Sequence, residues 1–262
     1  MKQVPSRKRT IPLVCLLLLL LILLALWELL SRLGRIDVLF FSRPTLIWEE
    51  CLRMVGSGVL WRHLSITLQE AALGLLYGAL FGSLVGLLLG FGEKTVPYLM
   101  PILVGLNSIP KLALAPLFIL WFGIGLLSKV LMASFMVFFL FSFNLYAGYR
   151  SVDIELLRTM RLLGANHLQT IRHVVWPSCL PWFLASLRSG LGLSLSGAIV
   201  GELIGASRGL GWLINDAAGR YDLTRVLTCV FVIIGIMMLL DTLVRLLERH
   251  LLKWRPNSNG MV

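Results

Sequence analysis

The chain has 262 residues, of which 58% are hydrophobic and only 14% are charged, and its mean hydropathy is +0.86. Soluble domains are about 45–50% apolar and about 25% charged, so this composition excludes an ordinary soluble globular protein and a disordered chain. The net charge of +11 would suggest nucleic-acid binding in a soluble protein, but in so apolar a chain it indicates basic cytoplasmic loops, and we expect no nucleic-acid partner.

Six apolar stretches follow one another along the chain, separated by polar segments with glycine, proline and charged residues. Runs of about 20 apolar residues span a bilayer core as helices and exceed the length of a strand. The stretches are 12–30, 66–91, 98–122, 127–148, 182–204 and 226–247. They predict an all-α fold, a polytopic membrane protein with six transmembrane helices.

The first stretch follows the basic segment 2–9 and is interrupted only by Glu28. Signal peptides begin in the same way, but no small-residue cleavage site follows, so we expect an uncleaved span. Lys and Arg are more numerous in the segments that are cytoplasmic if the N-terminus is inside, which favours a topology with both termini cytoplasmic. On this topology an impermeant thiol reagent should reach Cys51, in an outer loop, and spare Cys179, in a cytoplasmic one.

The second and fifth spans carry small residues at intervals of four. Glycine costs about 1 kcal/mol in a helix interior, and in a membrane close contact with another helix offsets this cost. We interpret both faces as packing surfaces; the alternative is that they slide during gating. The residues are Gly74, Gly78, Gly82, Gly86 and Gly90 in the second span, and Ser186, Gly190, Ser194, Ala198, Gly197, Gly201 and Gly205 in the fifth.

The third stretch contains three prolines, and Pro110 lies at its midpoint. Proline lacks the backbone donor and kinks a helix, and such a break at membrane depth is tolerated only against protein or a water-filled cavity. The sequence therefore predicts a broken helix whose break lies near the bilayer centre.

Lys111 follows this proline, and a charge at that depth is costly. One interpretation is that Lys111 has a structural role, in which its ammonium group pairs with another side chain or its side chain extends along the kink. The other is that Lys111 lines the solute path and attracts an anion, with Asn107 and Ser108 one turn earlier. Glu70 and Glu202 are predicted nearer the outer ends of their spans, so pairing with Lys111 would need a long reach; Glu202 is the fourth pathway candidate.

No segment gathers the residues of a catalytic or metal site. Gly92–Thr95 differs from a phosphate-binding loop because Glu93 stands where that loop needs glycine, and a cytoplasmic turn is the better interpretation. The four cysteines lack metal-ligand spacing and the four histidines are scattered. We therefore expect no catalytic residue, no cofactor and no metal.

The one long cytoplasmic loop, 149–181, reads as a short amphipathic helix, a turn at Gly164 and a second amphipathic piece. Asp153 can cap the first helix, whose apolar stripe is Leu156, Leu157, Met160 and Leu163. Pro177 and Pro181 are predicted to end the second piece. Such a helix–turn–helix suits docking of a soluble partner, and the alternative is an interfacial helix on lipid headgroups.

The loop resembles the cytoplasmic signature of permease subunits of binding-protein-dependent ABC importers. That signature runs Glu-Ala-Ala, three residues, Gly, nine residues, an aliphatic residue, one residue and Leu-Pro. Gly164, Val174 and Pro177 occupy its Gly, aliphatic and Pro positions. The departures are Arg158, Thr159 and Met160 at the Glu-Ala-Ala positions and Trp176 at the Leu position.

Further segments are similar to nitrate-, sulfonate- and taurine-type permeases, and the resemblance covers about residues 40–255. These segments are His63–Leu68, Pro110–Gly125, Gly209–Ile214 with Tyr221-Asp222, and Asp241–Trp254. The resemblance implies a type I ABC importer (MetI-like) permease fold in the inner (cytoplasmic) membrane of a bacterial cell. It divides the chain into an N-terminal segment of residues 1–60, a transmembrane core 61–247 with the coupling loop 149–181, and a C-terminal tail 248–262.

The resemblance also implies partners and a solute. Two permease subunits, expected as a homodimer in membrane lipid, form the pore; two copies of a soluble ABC ATPase dock on the loops, and an extracytoplasmic solute-binding protein delivers a small anion such as a sulfonate, taurine or nitrate. The alternatives are an importer of a pyrimidine-type vitamin precursor and a secondary transporter. The implied ATPase-coupling residues are Arg158, Thr159, Met160, Leu163, Gly164, Ala165 and Pro177.

Overall fold

The computed structural model describes residues 10–92 and 94–252, apart from the side chains at 10–14, 17 and 167. The basic segment 2–9, Glu93 and residues 253–262 of the predicted tail lie outside the described residues. Within the described ranges every regular element is helical. The α-helices are α1 (Thr10–Arg32), α2 (Val38–Phe41), α3 (Pro44–Gly56), α4 (Val59–Phe91), α5 (Val96–Asn107), α6 (Lys111–Phe122), α7 (Leu126–Arg150), α8 (Ile154–Leu162), α9 (His167–Thr170), α10 (Trp176–Gly205), α11 (Leu210–Gly219) and α12 (Leu223–Leu251), with a π-helical turn at Ile171–Val175.

Four helices in the described ranges are long and apolar enough to cross a membrane. They are α4, α7, the continuous helix Leu168–Gly205 that contains α10, and α12. The pair α5 and α6 is a fifth candidate if its two halves form one span. The first predicted span falls in α1, some of whose side chains lie outside the described set, so the sixth crossing stays a prediction.

The predicted break in the third stretch is confirmed. The axes of α5 and α6 are bent by 89° at a short interruption between Asn107 and Lys111. Pro110 precedes the first residue of α6, and a proline disfavours helical conformation at the residue before it, here Ile109. The chain therefore changes direction at Pro110, which lacks a backbone N–H donor and disfavours the helical conformation of Ile109.

The predicted end of the second amphipathic piece at Pro177 and Pro181 is wrong. The helix continues through both prolines: Pro177 follows closely after a π-helical turn, a local widening of the kind that accommodates a proline, and Pro181 lies inside α10. The π-helical turn Ile171–Val175 directly precedes this segment, so α9, the turn and α10 form one continuous helix.

Contacts divide the chain into two compact units. The smaller one takes the residues up to Trp61 together with Leu213–Val232. In it Glu28, the acidic residue of the first apolar run, accepts hydrogen bonds from the backbone N–H and the hydroxyl of Thr45 at 3.2 and 3.0 Å. Glu50 is buried and accepts from Arg225 Nε at 2.9 Å. The carboxylates of Glu28 and Glu50 are therefore both partnered.

The larger unit, Arg62–Trp212 with Ile233 onward, contains the glycine-lined face of α4. A methyl group at Gly82 would overlap the carbonyl oxygen of Phe138, and one at Gly86 would lie 2.5 Å from the carbonyl oxygen of Ser142. The whole row of five glycines meets α7 in this way. The prediction of a packing face is confirmed, because α4 and α7 approach more closely than side chains would allow.

The small residues of α10 serve the same purpose. A methyl group at Gly197 would lie 2.6 Å from Ala133 Cα, and one at Gly201 would lie 3.0 Å from Lys129 Cγ. Cys179 is also inside this packing and has no exposed surface. A thiol reagent would spare it on either side of the membrane, so the comparison of Cys51 with Cys179 cannot report topology.

Candidate functional site

Helix α8 is capped by hydrogen bonds at both of its ends. Asp153 caps α8 as predicted, accepting from the N–H of Glu155 at 2.9 Å. At the other end Gly164 has a φ of +72°, its N–H donates to Arg161 O, and the N–H of Ala165 donates to Met160 O, each at 3.0 Å. This pair of bonds is a Schellman motif, which requires a left-handed residue after the helix.

The sequence interpretation missed the start of α9. The N–H of Asn166 donates to Gln169 Oε1 and the N–H of Gln169 donates to Asn166 Oδ1, both at 2.8 Å. This is a reciprocal capping box, and the Asn-x-x-Gln spacing was visible in the sequence. The turn is therefore defined on both sides, by a C-cap and an N-cap only two residues apart.

The tip of this turn presents apolar side chains. Leu162 is 88% exposed, Leu163 76% and Leu168 73%. Of the predicted stripe, Leu157 packs against the core and Leu156 is exposed. An apolar surface of this kind in a polar loop indicates a partner surface or a lipid surface.

The structure brings six of the seven predicted coupling residues into one helix and turn. Arg158, Thr159 and Met160 lie on α8, and Leu163, Gly164 and Ala165 form the turn. Pro177 is separated from them by α9 and the π-helical turn and lies in the first turn of α10. Arg158 is paired with Glu155 at 2.8 Å on the exposed face, and Thr159 donates to the carbonyl of Glu155.

Two contacts of Trp182 hold this loop at the ends of α7 and α10. Trp182 Nε1 donates to Ser151 Oγ at 3.2 Å, and the indole ring covers Gly148, where a methyl group would lie 2.9 Å from it. Val152 and Val175, near the two ends of the loop, are both buried. The loop is thus built onto the ends of α7 and α10.

Lys111 begins α6, directly after the bend. Its Nζ donates to both the carbonyl oxygen and the Oδ1 of Asn107 at 3.0 Å, and it lies 5.9 Å from the ring centroid of Phe139. Ser108 donates instead to the carbonyl of Val104. Asn107 and Lys111 therefore meet across the bend, and the lysine ammonium is held at the C-terminal end of α5, which a cation stabilises.

Glu202 belongs to a different cluster, at the start of α11. Its carboxylate accepts from the Thr67 hydroxyl at 2.7 Å and from the N–H of Gly211 at 2.6 Å. The N–H of Leu210 donates to Thr67 Oγ1 at 2.8 Å, and the N–H of Gly209 donates to His63 Nδ1 at 3.0 Å. The backbone N–H groups of residues 209–211 thus each donate to a different side chain of α4 or α10.

We call His63, Thr67 and Glu202 the 209–211 clamp. His63 also stacks on Trp212, with ring centroids 5.3 Å apart and an angle of 6°. All three clamp side chains are buried. Glu202, predicted with Lys111 as a pathway residue, accepts hydrogen bonds from Thr67 and Gly211 in this cluster, and its place in the solute path stays a prediction.

A buried ion pair lies beside the clamp and was also missed. Lys129 Nζ donates to Glu70 Oε1 at 3.0 Å, and the two side chains are 8% and 1% exposed. Glu70 is also an electrostatic neighbour of Glu202. Lys129 lies in the first turn of α7. Among the residues the structure describes, no three His, Cys, Asp or Glu side chains are grouped to hold a metal.

Comparison with known proteins gives one family and several relatives. The family model described as "Binding-protein-dependent transport system inner membrane component" matches residues 78–253. The chain is 37% identical over 99% of its length to a putative aliphatic sulfonates transport permease protein, SsuC, of Bacillus subtilis, covering 94% of that protein.

Two further relatives carry different solutes in their names. The riboflavin transport system permease protein RibX of Chloroflexus aurantiacus is 37% identical, covering 88% of this chain and 86% of that one. The taurine transport system permease protein TauC of Escherichia coli is 35% identical, covering 87% and 85%. Among solved structures, an inward-facing MetNI methionine ABC transporter matches with a TM-score of 0.64 at 20% identity, over 73% of this chain and 93% of that one.

Proposed function

The chain belongs to the family of binding-protein-dependent transport system inner membrane components, and on that premise we propose that this ABC importer permease carries a small sulfonate. The observation that carries this choice is the similarity to an aliphatic sulfonate permease over 99% of the chain. The taurine permease is a second sulfonate-type relative. Family membership also favours an importer driven by a separate ATPase over a secondary transporter.

Uptake by the assembled importer tests the proposed identity of the solute. The chain is reconstituted in vesicles with its ATPase and binding protein, and ATP-dependent accumulation of a labelled alkanesulfonate is measured. We expect taurine and other sulfonates to compete, and riboflavin and formylaminopyrimidine not to compete. Uptake of riboflavin or a pyrimidine precursor in place of the sulfonate would assign the chain to the alternative class.

We further propose that the ATPase docks on the turn between α8 and α9. The exposed leucines at 162, 163 and 168 would enter a cleft of the ATPase, and Arg158 and Arg161 would flank them. Two ATPase copies would bind two permease subunits, most simply a homodimer, with ATP hydrolysis on the ATPase. The division into 1–60, the core 61–247 and the tail 248–262 follows from the same proposal.

The topology proposal places both termini and this turn in the cytoplasm. Exposed positions report it better than the native thiols, so Leu162→Cys and Ile124→Cys are each made in a chain with Cys15→Ser and Cys51→Ser. Ile124 is 75% exposed in the turn between α6 and α7. An impermeant maleimide on intact spheroplasts should label Cys at 124 at once and Cys at 162 only after permeabilisation. The opposite labelling pattern would show that the topology is the inverse of the proposed one.

Lys111 is proposed to attract the anion at the bend of the third span. Lys111→Met is expected to leave the amount of assembled importer unchanged and to lower sulfonate uptake by about tenfold or more, the loss of one charge-assisted contact. Lys111→Arg keeps the charge and should retain most of the uptake. Uptake is measured per assembled complex, so a loss of assembly in Lys111→Met would instead show that the bond to Asn107 holds the bend.

A further inference from the structure

Two adjoining cavities lie in the larger unit, where α4 and α7 end and α5 begins. A groove of about 580 Å³ runs between α4 and α5, and a second cavity of about 300 Å³ lies at the end of the groove next to the turn 92–95. Leu89 lines both. The lining of the smaller cavity is Leu89, Gly90, Val96, Pro97, Tyr146 and Arg150.

The smaller cavity offers hydrogen-bond donors. Arg150, the last residue of α7, is exposed and makes no hydrogen bond or ion pair with any residue in the ranges 10–92 and 94–252. The hydroxyl of Tyr146, one turn earlier, also has no partner in these ranges, and no Asp or Glu among them lines the cavity. A guanidinium carries five donors in a planar fork that matches a phosphate. The cavity therefore suits a phosphate group.

The groove, by contrast, is apolar. Three of the side chains along it are largely exposed in the chain by itself: Leu88 is 59% exposed, Ile102 57% and Leu99 47%. The hydroxyl of Thr95, which also lines the groove, is used within the turn, where it donates to the carbonyl oxygen of Gly92 at 2.8 Å. The groove therefore accepts hydrocarbon and offers no free polar side chain.

The smaller cavity lies at the level of the lipid headgroups. It is at the ends of two membrane-crossing helices, α4 and α7. Aromatic side chains gather there: Phe91 packs edge-on against Tyr149 with ring centroids 4.9 Å apart, and Tyr98 is 76% exposed. Tyrosine is enriched at the membrane–water interface. On the proposed topology this is the cytoplasmic leaflet, whose surface is anionic and where basic pockets between helices bind lipid headgroups.

We infer that the two cavities together bind one anionic phospholipid, whose phosphate accepts from Arg150 and Tyr146 and one of whose acyl chains lies in the groove between α4 and α5. A lipid with a choline headgroup would bring a second cation to Arg150. A free phosphate would leave the groove empty, and a second copy of the chain covering the groove would leave the donors without an acceptor. This site concerns the membrane and is independent of the solute carried.

Lipid binding to the full-length chain, assembled with its ATPase and purified in detergent, tests the inference. The probes are phosphatidylglycerol, phosphatidylcholine with the same acyl chains, and glycerophosphoglycerol, which is the anionic headgroup without chains. We expect phosphatidylglycerol to bind about tenfold or more tightly than either of the others, at one molecule per permease chain, by native mass spectrometry. Equal affinities of the two lipids, equal binding of the free headgroup, or an importer that binds no lipid because a second copy covers the groove would overturn the inference.

Variants separate the two ends of the lipid. Arg150→Gln removes an exposed charge and should abolish the preference for phosphatidylglycerol over phosphatidylcholine. Leu99→Trp fills the groove and should weaken both lipids about equally. Arg249→Gln is the matched control and should change neither, because Arg249 is exposed in the last turn of α12 and lines neither cavity.

Persistence of the full preference in Arg150→Gln would contradict the inference. If that variant does not assemble, Tyr146→Phe decides, because it removes only the hydroxyl and should lower the preference; an unchanged preference in Tyr146→Phe would then count against the site. Sulfonate uptake by an importer without lipid preference would leave the proposed function intact, so the two proposals fail independently.

Discussion

Gly164→Val should leave the chain inserted in the membrane but lower solute-stimulated ATP hydrolysis by about tenfold or more, since the turn that would enter the ATPase is no longer formed. Gly164 has a φ of +72°, and nothing lies within 4 Å of the position that a Cβ would take. The substitution therefore acts through the backbone alone. An L-residue in this region costs about 1–2 kcal/mol, and a β-branched residue is disfavoured further.

The chain offers a matched control for this variant. Gly34 follows α1, has a φ of +68° and also has open space around its Cβ position. Gly34→Val imposes the same kind of strain far along the chain from the turn and should leave coupling intact. Gly164→Asn should retain most of the coupling, because asparagine tolerates a left-handed conformation.

ATPase co-purification and solute-stimulated hydrolysis are measured side by side for the three variants. Parental co-purification and parental hydrolysis with Gly164→Val would contradict the docking proposal. That outcome is also the result expected if α8 and its turn lie on lipid headgroups, where a change of turn geometry has little effect. The pair of measurements therefore separates the two interpretations that the sequence left open.

Gly209→Ala should prevent stable folding of the larger unit. Gly209 has a φ of +114°, and an added Cβ would overlap the carboxylate of Glu202. The methyl group would push Glu202 away from the N–H of Gly211 and Thr67, so at least two buried hydrogen bonds would be lost in addition to the backbone strain. Losing partners of buried polar groups costs about 1–3 kcal/mol each.

Gly219→Ala is the matched control for this variant. Gly219 ends α11, the helix that begins next to Gly209, and nothing lies within 4 Å of its Cβ position. We expect a thermal unfolding midpoint close to the parent for Gly219→Ala and loss of monodisperse protein for Gly209→Ala. A Gly209→Ala chain that is as stable as the parent would show that the clamp does not hold the larger unit together.

The features of the fold that were predictable from the sequence are those set by local chemistry. Four of the predicted apolar stretches coincide with long helices, and the predicted bend lies at Pro110. Both predictions succeeded because hydropathy and a proline break depend on neighbouring residues along the chain. Asp153 was found as a cap because a cap bonds within two residues of itself. Gly164 was found as a turn residue for the same reason.

The features that could not be predicted from the sequence depend on which helices lie next to each other in the fold. The pairing of Lys129 with Glu70 joins residues 59 positions apart, and the bond of His63 to Gly209 joins residues 146 positions apart. Neither spacing has a signature in a single sequence. The prediction that Glu202 lines the solute path follows from the rule that a carboxylate in a membrane span is usually functional, and it stays a prediction. Its role as acceptor for Thr67 and Gly211 was not predictable, because it depends on the placement of α4 beside α10.

The continuous helix Leu168–Gly205 has a mechanical consequence. It begins at the turn proposed to receive the ATPase and contains Glu202 near its other end. At 1.5 Å per residue these ends are roughly 50 Å apart, so one stiff rod joins the docking surface to the 209–211 clamp. A displacement imposed at the turn would reach the clamp without passing through a loop, and the π-helical turn at Ile171–Val175 is where such a rod would flex.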